Sequence, residues 1–184
     1  MKGLKTGLVV AGLLMAGVGA AHAQSPVSFG LGGGATIPLG STSDAVKTGW
    51  HGLALVQFKP AGSPVGFQID GQYQELKSKA GLTAGKTQLI NGTANVVFSF
   101  PVAAETKVRP YLIGGGGVYN IKFKPSAGGA SPSSTKFGLN AGAGFDFALS
   151  GATIFVEGRY HNVFVTGSDT KFIPITLGVK FGGK

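Results

Sequence analysis

The sequence predicts an all-β fold, an eight-stranded antiparallel up-and-down transmembrane β-barrel. Three observations predict it. Apolar and polar residues alternate with a period of two over eight segments, glycine supplies 33 of the 184 residues, and aromatic side chains gather at two levels along the strands. The cleanest alternation is VGFQIDGQYQE, residues 65–75. Val65, Phe67, Ile69, Gly71 and Tyr73 share one parity, while Gly66, Gln68, Asp70, Gln72 and Gln74 share the other. Successive side chains of a strand point to opposite faces, so this segment has one apolar wall and one wall of amides and a carboxylate.

Residues 1–23 read as a secretory signal peptide, which leaves 24–184 as the barrel domain. Lys2 and Lys5 make a basic start, residues 7–20 are uncharged, and Ala21-His22-Ala23 is an A-x-A cleavage site before Gln24. That apolar run is shorter than the ~20 residues a spanning helix requires.

The first strand is expected at 27–39, with Val27, Phe29, Leu31, Ala35 and Ile37 on its apolar side. The others are expected at 49–59, 65–77, 87–100, 108–123, 137–149, 153–165 and 172–181. Each can supply the ~9–11 residues of a tilted transmembrane strand, and eight is an even number, as single-chain bacterial barrels need. The connections 41–48, 78–86, 124–136 and 166–171 are polar and mostly longer than 60–64, 101–107 and 150–152. Long loops at one end and short turns at the other suit a barrel with both termini in the periplasm. The stretch PSAGGASPSST is low in complexity and reads as a mobile loop without a preformed binding surface.

Running the strands alternately up and down places Trp50, Tyr73, Tyr119, Phe123, Phe137, Tyr160 and Phe164 toward the long-loop end. The turn end receives Phe29, Phe58, Phe67, Phe98, Phe100, Tyr111, Phe145, Phe147 and Phe181. Between these bands the apolar face is expected to hold Ile69, Gly71, Gly92, Ala94, Gly115, Gly117, Ala141 and Ala143. Two aromatic bands around a small and aliphatic zone match the girdles of a membrane barrel.

A water-soluble barrel would carry the polar parity outside, with about 25–35% charged residues there. Here that parity is mostly Gly, Ser, Thr, Asn and Gln, and includes Gly30, Gly32, Gly34, Gly114, Gly116, Gly142, Gly144 and Gly178. Small residues suit a narrow lumen, whereas solvent would not demand them. The ions on the inward parity are Asp70, Asp146, Glu157, Arg159 and Lys180, joined by His161. The turn at 150–152 should bring Asp146 beside Glu157 or one pair away, and Arg159 is the expected cation between them. Together they read as a structural polar plug.

Other chemistry is weakly signalled. The chain has no cysteine, which removes disulfides and thiolate metal sites. Its formal net charge is +9, yet lysines such as Lys59, Lys86 and Lys124 sit singly at strand ends, so no nucleic-acid partner is expected. GLGGGA at 30–35 fits a dinucleotide fingerprint only formally, because Pro38 and a polar loop follow instead of a helix. Ser133 to Lys136 matches S-x-x-K without a helix to aim the lysine. Asn91-Gly92-Thr93 reads as a strand-interior polar pair, and His51 and His161 lack carboxylates at ligand spacing, so no metal or cofactor is expected.

Three segments carry a family resemblance: RPYLIGGGGVY from Arg109 to Tyr119, FVEGRYH from Phe155 to His161, and IPITLGVKF from Ile173 to Phe181. In this order and spacing the chain resembles the outer membrane protein beta-barrel domain family, the OmpA/OmpX-like small barrels. The resemblance implies outer-membrane lipids as surroundings. It also implies insertion by the outer-membrane assembly machinery, with Phe181 as the terminal aromatic signal, although Gly182-Gly183-Lys184 extends past it. Some small outer-membrane barrels hydrolyse lipid A with a Ser, a His and an acid. Here Asn162 follows His161 where that deacylase family has a His-Ser pair, so no enzyme is expected. The expected role is structural or surface-interacting, the alternative being a narrow path for ions or small hydrophobic molecules.

Overall fold

The structure is a computed structural model that describes residues 26–79, 84–103, 105–165, 167 and 169–183; the expected signal peptide lies outside the described residues. Eight strands form one closed barrel: β1 (Val27–Leu39), β2 (Gly49–Phe58), β3 (Val65–Lys77), β4 (Gly85–Ser99), β5 (Val108–Pro125), β6 (Ser133–Ala148), β7 (Ala152–Val163) and β8 (Thr170–Gly182). Each strand pairs antiparallel with the next, and β1 closes on β8 with Phe29 opposite Phe181. A single turn of helix, α1 (Ser41–Ala45), sits in the connection after β1.

The wall sorts as the alternation predicts. Ile69 is 68% exposed, Leu177 60% and Trp50 54%, while Gln68, Asp70, Gln72 and Gln74 on the opposite parity of β3 are buried. Leu31, Ile90, Val96, Leu112, Val118, Leu139 and Ile175 extend the same outward apolar surface around the barrel. In water this surface would be the largest of liabilities. Aromatic pairs mark the loop-end band, with Trp50 and Tyr73 centroids 5.5 Å apart and Phe137 stacked on Phe164 at 6.3 Å.

Strand β5 departs from expectation, because its phase is inverted. Tyr111 and Tyr119, expected in the girdles, are buried inside the barrel. Phe123 shares their parity and is half-buried, within 2.7 Å of where a Gly85 Cβ would stand. Gly115 therefore faces the lumen: a Cβ there would stand 2.5 Å from Asn95 Oδ1. Gly117 shares that parity. Gly116 faces outward, since its Cβ would meet Leu139 and Phe137 of the outer wall at 3.1 Å, and Gly114 lies on the same side. The physical reason is that a buried tyrosine hydroxyl needs a partner. The lumen supplies one to each.

The connection expected at 124–136 is also shorter than expected. β5 and β6 keep pairing past the aromatic band, from Tyr119 opposite Lys136 to Lys122 opposite Ser133. Part of the low-complexity stretch is thus strand.

Inward glycines make room for large luminal side chains. A Cβ at Gly144 would stand 2.5 Å from the Tyr111 hydroxyl, and one at Gly142 would stand 2.7 Å from Arg159 Cα. The lumen of eight strands is just wide enough to be filled by side chains. It is more apolar than expected: Leu53, Leu55 and Phe155 form one buried cluster, and Val97, Tyr111 and Ile113 another.

Candidate functional site: a filled and charged lumen

The centre of the lumen is organised by Arg159. Its Nη1 donates to Asp70 Oδ2 at 2.8 Å, and its Nε donates to Glu157 Oε1 at 2.9 Å. β3 and β7 stand four strands apart in a ring of eight, so this guanidinium ties opposite walls together. The carboxylates are further satisfied. Asp70 accepts from Gln68 Nε2 at 3.0 Å, Thr93 Oγ1 at 2.8 Å and Asn95 Nδ2 at 2.9 Å, and Glu157 accepts from the Tyr111 hydroxyl at 2.9 Å. Arg159, Asp70 and Glu157 are all buried. Buried charges persist when they are paired and hydrogen-bonded, which is the condition met here.

A second, uncharged layer lies toward the loop end. His51 joins Thr36 through Nδ1 at 3.2 Å and Thr176 through Nε2 at 2.9 Å. Thr36 donates to Gln74 Oε1 at 3.0 Å, and Gln74 Nε2 donates to Asn91 Oδ1 at 3.1 Å. Tyr119 Oη and His161 Nδ1 are 2.8 Å apart, and the His161 ring stacks on Phe172 at 4.9 Å. Leu89, Tyr119, Val163 and Phe172 add a buried apolar cluster to this end of the lumen.

Toward the turn end, Lys180 Nζ lies 2.8 Å from Asp146 Oδ2 and 2.7 Å from Oδ1. Asp146 faces Phe155 while Glu157 faces Gly144, so the two carboxylates are one pair apart, as the hairpin requires. The expected grouping around Arg159 therefore divides. Glu157 goes to Arg159, Asp146 goes to Lys180, and His161 belongs to the tyrosine layer.

Thr36 and Gln74 lie on the inward parity that the alternation assigns them, whereas sequence reasoning missed Tyr111 and Thr176 as members of this lumen. Its inward parity was the available signal for Thr176. For Tyr111 there was none. No trio of His, Asp and Glu placed to hold a metal occurs among the described residues.

A closed eight-stranded barrel with an apolar, aromatic-banded exterior and a lumen packed with paired ions is a small transmembrane β-barrel of outer-membrane type. The chain belongs to the outer membrane protein beta-barrel domain family, whose model matches residues 8–181, and is accordingly a protein of the bacterial outer membrane. Solved structures agree in fold. Neisserial surface protein A (NspA) superposes with a TM-score of 0.68 at 16% identity, over 85% of this chain and 97% of that one. A major outer membrane protein from Thermus thermophilus gives 0.55 at 12% identity, over 84% and 98%. Ail, the attachment invasion locus protein of Yersinia pestis, in complex with the heparin analogue sucrose octasulfate, gives 0.52 at 22% identity, over 84% and 95%. No curated protein sequence is detectably similar to the chain.

Proposed function

We propose that the protein is a sealed structural barrel that presents its long loops at the cell surface, with both termini in the periplasm. The observation that carries this reading is the Arg159 bridge to Asp70 and Glu157, which fills the middle of the lumen with groups that satisfy one another. The Leu89, Tyr119, Val163 and Phe172 cluster adds buried apolar bulk toward the loop end. Presentation at the surface is supported by β5 and β6, which continue as a hairpin beyond Phe137 of the aromatic band. A role in lipid modification is disfavoured by His161, which is buried against Phe172 while Tyr160 takes the outward position.

The second reading is a narrow path for ions or small hydrophobic molecules. It is favoured by Gln72 Nε2, Asn91 Nδ2 and His161 Nε2, buried polar atoms without a protein partner among the described residues. Reconstitution into a planar bilayer separates the two. The sealed barrel gives no reproducible unit conductance, whereas a steady channel whose conductance changes in Arg159→Ala would establish transport.

A further inference from the structure

The turn end of the barrel opens into a cup of about 590 Å³, whose polar lining includes Ser28, Gln57, Lys59, Arg109, Asp146 and Lys180. Three of these are cations and one is an acid. Lys180 is already committed, for it pairs with Asp146 and its Nζ lies over the Tyr111 and Phe155 rings at 5.3 and 5.5 Å. Arg109 stands opposite Asp146 in the β5–β6 register, yet neither it nor Lys59 makes an ion pair among the described residues. Burial, with Arg109 and Lys180 close by, pushes the Lys59 ammonium below the ordinary lysine range despite the opposing pull of Asp146. The cup thus sets three cations against one carboxylate on a preformed concave surface.

We propose that this cup is a binding site for a phosphate group, with Arg109 and Lys59 as its ligands and Ser28 and Gln57 as supporting hydrogen-bond partners. The forked donors of Arg109 suit an oxyanion better than a spherical halide, and lysine adds a point charge. The volume lies in the range of small-molecule sites, roughly 300–1,000 Å³. A bound anion would also relieve the mutual repulsion of Lys59, Arg109 and Lys180. The phosphate could belong to a soluble ester or to a lipid headgroup, and the chemistry of recognition is the same for both. The cup would hold its anion whether or not the lumen conducts.

The full chain, refolded in nonionic detergent, is titrated with inorganic phosphate at constant ionic strength by calorimetry. Saturable one-to-one binding is expected, weakened about tenfold by Arg109→Gln, the loss of one charge-assisted contact, and further by adding Lys59→Gln. Lys77→Gln with Lys124→Gln removes the same charge from the loop end and should leave the affinity unchanged. Retention of heat-modifiable gel mobility shows that each variant is folded. Binding that fails to saturate, or that falls equally in both double variants, would overturn the site in favour of net charge alone. In bilayers containing phosphatidylglycerol, lost phosphate binding assigns the site to a lipid headgroup, and unchanged binding assigns it to a soluble phosphate.

Discussion

Arg159 on β7 reaches across the barrel to Asp70 on β3, its Nη1 2.8 Å from Oδ2, and both side chains are buried. Removing the guanidinium would leave Asp70 and Glu157 charged, buried and facing one another. Arg159→Met should therefore destabilise the barrel by about 3–5 kcal/mol, the usual cost of breaking a buried ion pair from one side. Urea unfolding in lipid vesicles measures it. A loss within about 0.5 kcal/mol would mean that the network contributes little to stability.

Tyr111→Phe removes one donor to Glu157 without changing shape. Hydrogen bonds to charged groups are worth about 1.5–3 kcal/mol, so a loss in that range is expected from the same measurement. Tyr73→Phe on the outer wall should cost less. Its hydroxyl only accepts from half-exposed Gln88.

Ile69 projects outward from the middle of β3, between Val56 and Ala94 of the neighbouring strands. Ile69→Arg should cost about 2–4 kcal/mol if the residue meets lipid near the bilayer midplane. An unaltered unfolding midpoint would show that this wall does not face hydrocarbon.

Trp50 is the sole tryptophan and is 54% exposed on the outer face of the loop-end band. Its fluorescence should be quenched more strongly by lipids brominated near the headgroup than by lipids brominated near the chain ends. Equal indifference to both would place the ring in water.

Lys59 gives a pH dependence. Because its folded pKa is depressed, the unfolded chain binds more protons between that value and the ordinary ~10.4, so this residue makes stability rise with pH across that window. The cost it imposes is fully present below the window and gone above it. Lys59→Gln should therefore be more stable than the wild type near neutrality, with the difference vanishing at high pH. Unfolding curves at several pH values give the comparison.

Much of this architecture is legible in the residues themselves. The bounds of β1 and β3 follow from alternation alone, since the inward positions of β3 from Gly66 to Gln74 are amides, a carboxylate and glycine. The pairing of Glu157 with Arg159 follows from their spacing on one strand face. Strand β5 was opaque for a definite reason. Gly114 to Gly117 carry no side chains to show a phase, and Leu112 and Ile113 just before them are both apolar though one points out and the other in. The tyrosines then misled, because a ring with a hydroxyl fits either an interface or a polar lumen. Lys180 as the partner of Asp146 depends on the β6–β7 and β7–β8 registers together, which no local pattern encodes.

The ladder between β1 and β8 runs from Ser28 opposite Gly182 to Leu39 opposite Lys171, joining stretches more than 130 positions apart in the chain. Every other pairing in the wall can be made by neighbours as they emerge. This one must wait, and pairings so distant in sequence are the slow ones kinetically. Until it zips, the nascent sheet has two bare edges, and the chain is most open to pairing with another copy in the interval before the final strand docks.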